Sequence, residues 1–534
     1  MKMKKLLSLT VAIVMAIGML SGCGNGSSGS NTEKFAETDE KLTLTWLGFP
    51  RLGGAPEGTT PELLLEEKFN VEIKPLFYEE TKYEEKSSLL LAGGEIPDLI
   101  YEMDPIYVIN HAYQDFLVEV PYDTIEKYAP EYFAYLNEYN PVGWSHSRYE
   151  GKNWGVPNVN YSQMVSDVTF WRKDWLDKFG LEVPKTLDET YTALYKFANE
   201  DPDGNGKKDT YGFSTGQTKH SFFPSIFGAY GCLPFWWQEV DGKIVYGGVT
   251  DACKEALKTL AAWYKDGLIH PEFYTKRADM STETIGADLA SAYQDPTDPT
   301  HAINKIKKIN PNAETAYGFL PTGPDGLAGT RRWGNTCNIV CFGNTEGYGV
   351  KVPRMLQMIE GMFTDHDLYR ELRIGKEGVH WKQADPDTEG RDSFVMLPGF
   401  GGGADPYSET RLAGFDKLTS GPSMFTPVAT TYEDYLTYRS DSYKAFLNEW
   451  TDEKYCLRDY FDKPDVVPSA ADYYADLSTK QMALMTEIIQ GVKPIEAYDE
   501  FIKLWETGGG KIMTDEANDL KKELDNIYKE IGVK

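Results

Sequence analysis

The chain has 534 residues, with 54 basic against 82 acidic side chains and a formal net charge of −28 at pH 7. That balance excludes nucleic acid as a partner, because a polyanion is held through an excess of lysine and arginine. The length exceeds what one hydrophobic core sustains, and the 41% apolar content is that of a folded globular protein, so at least two domains are expected.

The chain opens with Lys2, Lys4 and Lys5 before an apolar run from Leu6 to Leu20. The run is too short to span a bilayer comfortably. Residues 1–22 therefore read as a cleaved export signal, the alternative being an uncleaved anchor helix. Leu20-Ser21-Gly22-Cys23 resembles the bacterial lipoprotein processing box, which makes Cys23 the lipidated first residue of the mature chain. Cleavage removes three lysines and takes the formal charge from −28 to −31. The Gly-, Ser- and Asn-rich start of residues 23–40 forms a flexible tether. No later stretch is long and apolar enough to cross a membrane.

KLTLTWLGF (41–49) alternates Leu42, Leu44 and Trp46 with Thr43 and Thr45, as a strand with one better-buried face does. A helical PELLLEEKF follows, then a strand VEIKPLF, a helix through KYEEKSSLLLAGG that ends at Gly93 and Gly94, and a strand DLIYE. This β-α-β-α-β order predicts a parallel sheet, with ligands beyond the carboxyl ends of its strands. The loops at 48–54 and 102–104 then line a cleft, where Glu102 and Asp104 are candidates to contact a ligand.

A second α/β region starts at VSDVTFWRKDWLDKFG, a strand running into a helix ended by Gly180. TLDETYTALYKFANE carries a capping box, Thr186 with Glu189, and an apolar stripe. DPDGNGKKDTYG (201–212) follows directly, placing Asp201, Asp203, Asn205, the Lys207 carbonyl and Asp209 as hard oxygen ligands, with Gly206 at the sharp turn. The spacing is that of a calcium loop. Position 12, usually a bidentate Glu, is Gly212, and a strand (TYGFS) replaces the exiting helix. That combination predicts a structural Ca2+ rather than a switch, the alternative being an Asx-rich turn. From about Ala316 the α/β order returns through TCNIVCFG and PRMLQMIEGMF, and the chain beyond Asp441 is mostly helical.

Five cysteines remain after Cys23, an odd number without zinc-ligand spacing. Cys253 lies on a helical apolar stripe with Ala256, Leu257, Leu260 and Trp263, as a buried free thiol does. The 34 Tyr, 25 Phe and 12 Trp include Trp236, Trp237 and Trp333, whose flat faces suit sugar rings. Trp333 stands in the Gly-rich TGPDGLAGTRRWGNT, with Asn335 beside it. His380 in GKEGVHW is a structural or ligand-contact histidine. No catalytic motif is present, no G-x-S-x-G, H-E-x-x-H or P-loop, so no catalytic residue is assigned. A glycosidase needs only two carboxylates, so a secreted, calcium-containing polysaccharide-degrading enzyme remains the alternative.

EGKNWGVPN, FWRKDWLDKFGLEVPKT, DPDGNGKKDTYGF, GFLPTGPDG, GKEGVHW and the closing IIQGVKPIEAYDEFIKLWETGGGKI together resemble the extracellular solute-binding proteins of family 1, the lipoprotein receptors of bacterial carbohydrate ABC importers. The resemblance implies an α/β, two-lobe periplasmic-binding-protein-like fold with a hinge and an interlobe ligand cleft. The expected lobes are 41–157 with 333–439, and 158–332 with 440–534, the latter carrying the calcium loop 201–210. It further implies an extracytoplasmic, monomeric receptor, lipid-anchored to a bacterial cell membrane, that is not an enzyme. Its partners would be an oligosaccharide and ABC permease subunits. The stretch 384–439 exceeds what simpler members need and is expected to cover the cleft.

Overall fold

The structure is a computed structural model that describes residues 34–48, 60–78, 82–159, 161, 168–216, 218–275, 283–288, 290–295, 299–318, 320–332, 336–385, 393–398, 430–437, 439–450 and 456–533. Cys23, the loop at 49–59, Trp333, Asn335 and most of 384–439 lie outside the described residues.

The five opening elements form as their sequence predicts: β1 (Leu42–Gly48), a helix Thr60–Phe69, β2 (Val71–Phe77), a helix Tyr83–Ala92 and β3 (Leu99–Glu102). The chain then adds β4 (Gly155–Val159), β5 (Val168–Arg172), β6 (Tyr211–Ser214), β7 (Ala290–Asp295), β8 (Thr315–Gly318) and β9 (Thr336–Phe342). The first sheet has the order β2-β1-β3-β9-β4. Its first three strands are parallel, in the register Leu44 opposite Ile73 and Trp46 opposite Leu99. β9, returning from nearly 200 residues away, runs antiparallel to both neighbours, with Val340 opposite Tyr101 and Val156. The sheet is thus mixed, because the fifth element of the β-α-β-α-β unit pairs with a strand that arrives from the other lobe.

The second sheet has the order β8-β5-β7-β6, with β5 antiparallel to both neighbours and β6 parallel to β7. The helix Leu187–Asn199 covers it, with Leu187, Ala193, Leu194, Phe197 and Ala198 buried. The side chain of its N-cap, Thr186, accepts the Glu189 N–H at 3.2 Å. Such a cap contributes about 1 kcal/mol. The helix Asp251–Lys265 buries Cys253, Ala256, Leu257, Leu260 and Trp263, the stripe read from its sequence, and Cys253 is a buried free thiol.

Each sheet has its own core. The first gathers Trp46, Ile100, Tyr132, Trp144 and Val340; the second gathers Trp171, Phe197, Trp237, Tyr246 and Trp505, with Tyr246 and Trp505 stacked at 3.8 Å. A 3-10 turn, Pro141–Ser147, sends Val142 into the second core and Trp144 into the first. The fold is therefore α/β with two lobes.

Candidate ligand site at the junction of the lobes

β3 ends at Glu102, and Pro105 at the first helical position starts the helix Pro105–Tyr113. Proline suits that position because its missing N–H has no partner there anyway. This geometry places Glu102 and Asp104 at the carboxyl end of the central strand. Glu102 is fully buried, and its Oε1 lies 2.6 Å from His111 Nδ1, one and a half turns into the helix. Its other oxygen, Oε2, has no hydrogen-bond partner among the described residues. Asp104 stands at the N-cap yet makes no capping bond. It turns instead to Lys463, whose Nζ donates to Asp104 Oδ1 at 2.5 Å and to the Met103 carbonyl at 3.2 Å.

Lys463 belongs to the segment Asp459–Asp465, which is strung between the lobes. On the second lobe's side, Trp237 Nε1 donates to the Pro464 carbonyl at 2.8 Å, and Tyr460 N donates to the Trp237 carbonyl at 2.8 Å. Arg331 Nη2 donates to the Asp462 carbonyl at 2.8 Å, and Arg331 Nε to Asp459 Oδ2 at 3.1 Å. On the first lobe's side, His146 Nε2 donates to the Phe461 carbonyl at 2.5 Å. Burial holds the His146 imidazole neutral, its pKa pushed down to about 4.

Arg331 is placed by a close backbone approach. A Cβ on Gly228 would lie 1.6 Å from the Gly329 carbonyl oxygen, so only glycine lets the helix Pro224–Ala229 pack against the strand Thr330–Arg332. The Arg331 guanidinium lies 3.5 Å from the Trp236 ring centroid, and its Nη1 is 3.2 Å from His220 Nδ1. The His220 ring also packs on Trp236, at 4.8 Å. His220 and Lys219 sit in the loop that leaves the carboxyl end of β6. That loop closes on Phe223, a buried residue held at φ +50°, where a side chain normally avoids the backbone. Lys219 Nζ lies 4.1 Å from the Tyr474 ring centroid, and burial pulls its pKa down to about 8.

The junction is crowded with carboxyl groups. Burial, then Glu102 and Asp104, push the Glu84 pKa up to about 8, against the opposing pull of Lys463. Burial and Asp104 push Asp465 up to about 6. The Tyr107 hydroxyl is pushed up to about 12 by burial and by Glu84. Each lobe thus turns the carboxyl end of a strand toward the other and supplies polar side chains there, as receptors that close over a polar ligand do.

Of the residues singled out in the sequence, Glu102, Asp104 and Trp236 come together at this junction. Trp236 is covered by Arg331 and His220. Trp237 lies in the second core, fully buried against Tyr246 and Trp505, and acts there through its indole N–H on Pro464. His380 sits in a local turn, where its Nδ1 accepts the Lys376 N–H at 2.8 Å. Glu84, His111, Lys219, His220, Lys463 and Asp465 were not singled out. The one signal for the last two was DYFDKPDVVP (459–468), an acidic, aromatic loop punctuated by proline, in a stretch read as helical.

In the loop 201–209, Asp201, Gly204 and Gly206 turn the backbone at φ +51°, +74° and +76°. Asp201 Oδ1 and Oδ2 each accept a backbone N–H at 3.0 Å, from Asn205 and Gly206. The Asn205 amide donates to Asp203 Oδ2 at 2.6 Å and to Asp209 Oδ1 at 3.1 Å, so a donor holds the point where a cation would draw these oxygens together. The oxygen donors fit calcium in type. Among the described residues, however, no three His, Cys, Asp or Glu side chains gather into a metal-holding group.

Two α/β lobes meeting at a polar junction define a two-lobed binding protein. Residues 55–351 match the family model described as bacterial extracellular solute-binding protein, and the chain belongs to that family. Among curated relatives, the polygalacturonan/rhamnogalacturonan-binding protein YtcQ of Bacillus subtilis is 24% identical, covering 96% of this chain and 98% of its own. The fructooligosaccharide ABC transporter substrate-binding protein FusA of Streptococcus pneumoniae is 27% identical over 51% of this chain and 54% of its own. Among solved structures, FusA in complex with kestose superposes with a TM-score of 0.65 at 19% identity, over 92% of this chain and 100% of that one. An EF-hand mutant of FusA with fructo-nystose gives 0.63 at 20%, over 92% and 100%. The alginate-binding protein AlgQ2 without calcium ion gives 0.64 at 18%, over 91% and 99%.

Proposed function

We propose that this chain is the lipid-anchored, extracytoplasmic receptor of a carbohydrate ABC importer, which captures an oligosaccharide between its lobes and hands it unaltered to permease subunits. The observation that carries the reading is the junction itself. Glu102 Oε2 and both Glu84 oxygens are buried and lack hydrogen-bond partners among the described residues. Such atoms are costly unless a ligand satisfies them. The names of YtcQ and FusA, both saccharide binders, agree with a sugar.

In this reading the lobes are 41–157 with 333–439, and 158–332 with 440–534. Cys23 carries the lipid, the receptor acts as a monomer, and 384–439 covers the cleft. Glu102, Asp104, Trp333 and Asn335 contact the sugar, and Trp236 supports the wall through Arg331. Asp201, Asp203, Asn205, Asp209 and the Lys207 carbonyl hold a structural Ca2+, whose charge would neutralise a loop where burial and the nearby Asp201 and Asp209 carboxylates already raise Asp203. A thermal-shift screen against oligosaccharides tests the reading, since a ligand bound only by the native state raises the melting temperature. Release of shorter sugars from any of them would instead support the polysaccharide-degrading alternative.

A further inference from the structure

Lys463, which crosses from the inter-lobe segment to the first lobe, has little backbone freedom. Asp462, just before it, sits in the left-handed region at φ +63°. A side chain enters that region at a cost, and it stays there when its surroundings hold it. Pro464, just after, confines Lys463 to extended backbone, and its own carbonyl accepts the Trp237 indole N–H at 2.8 Å. The direction of the Lys463 side chain is therefore set by the turn at Asp462. It ends on Asp104 Oδ1 at 2.5 Å and the Met103 carbonyl at 3.2 Å.

One side chain of the second lobe grips that turn. Arg331 Nη2 donates to the Asp462 carbonyl at 2.8 Å, while its Nε donates to Asp459 Oδ2 at 3.1 Å. The strand Thr330–Arg332 pairs with Cys456–Arg458, which runs straight into Asp459, and the guanidinium face is backed by Trp236 at 3.5 Å. Arg331 and Asp459 are both buried. A planar fork of fixed donors can hold a carboxylate and a carbonyl at once, as a lysine ammonium on its flexible stem does not. We propose that Arg331 is a positioning residue of the ligand site, which clamps the left-handed turn at Asp462 and so delivers Lys463 to Asp104 on the opposite lobe. Its effect on affinity rests on the sugar-capture reading, whereas the placement of Lys463 is independent of it.

Arg331→Gln alone would strand the Asp459 carboxylate in the interior, so the test variant is Arg331→Gln with Asp459→Asn, which withdraws both charges. Acetylation of the full mature chain without sugar, read by mass spectrometry, reports whether Lys463 is held, because an ammonium paired with a carboxylate keeps the proton it must lose to react. Lys463 should react at least threefold faster than in wild type both in this variant and in Asp104→Asn, while the exposed Lys522 reacts equally in all three. An unchanged Lys463 in either variant overturns the proposal. Affinity is then measured by calorimetry for whichever of the cello-, manno- and galacturono-oligosaccharides raises the melting temperature. It should fall about as far in the paired variant as in Lys463→Ala, and combining the two should weaken binding less than twofold further. Losses that multiply would mean that Arg331 acts apart from Lys463, and would also overturn the proposal. If none of these saccharides binds, the capture reading loses its support and the acetylation result alone decides whether Arg331 places Lys463.

Discussion

Lys463 Nζ donates to Asp104 Oδ1 at 2.5 Å, an ion pair that joins the end of β3 to the segment spanning the lobes, with its two side chains 23% and 38% exposed. Partly exposed pairs contribute at most about 1 kcal/mol to stability. Its position gives it a larger bearing on closure than on folding. Lys463→Ala should leave the melting temperature within a few degrees of wild type and weaken ligand affinity roughly fivefold, the equivalent of about 1 kcal/mol. Equal affinity in the variant, measured by calorimetry, would show that the pair does not shape the ligand site.

Stability should peak at mildly acidic to neutral pH. Glu84 has a folded pKa of about 8, above its unfolded value, so its contribution is complete at low pH and is lost as pH rises through 8. His146 has a folded pKa of about 4, below its unfolded value, so its contribution is present at neutral pH and is lost as pH falls from 6.5 toward 4. Denaturant midpoints measured from pH 4 to 9 should trace both limbs. Glu84→Gln should flatten the alkaline one, and a persisting limb in that variant would assign it elsewhere.

Much of the frame was legible in the sequence, because alternation and capping are local. The alternation along Leu42–Gly48, the Thr186 cap and the Cys253 stripe each depend on residues within a turn or two. The antiparallel β9 was not legible as such, since its partner β3 lies more than 200 residues earlier. The site was half legible. Glu102 and Asp104 follow from strand topology, but their partners His111 and Lys463 are set by tertiary packing, and Lys463 lies 359 residues from Asp104. The burial of Trp237 has the same cause. Aromatic composition marks it as a large flat side chain, while Tyr246 and Trp505, far apart in sequence, decide that it is core.

Calcium should stabilise without switching. The loop lacks the position-12 Glu that couples binding to helix motion. Chelation of metal-stripped and reloaded protein should lower the melting temperature by a few degrees, and Asp203→Ala should abolish that response while sugar affinity stays within about twofold in both. A chelator without effect on the reloaded wild type would leave the loop as a turn held by Asn205 and Asp201 alone.

Cys23→Ala should leave the precursor unprocessed or release it from the membrane fraction, because one lipid-modified cysteine and its tether carry the whole attachment in this account. Cell fractionation with an antibody against the folded body checks this. Equal processing and retention of the variant would move the anchor elsewhere.

The most direct test of the central claim is an isothermal titration of the mature chain with the oligosaccharide that most raises its melting temperature, followed by recovery and sizing of that sugar. The account predicts saturable binding of one sugar per chain, at least tenfold weaker in Glu102→Ala, with the sugar recovered at its original length. Sugar returned shortened, or undiminished affinity in Glu102→Ala and Lys463→Ala together, would contradict it.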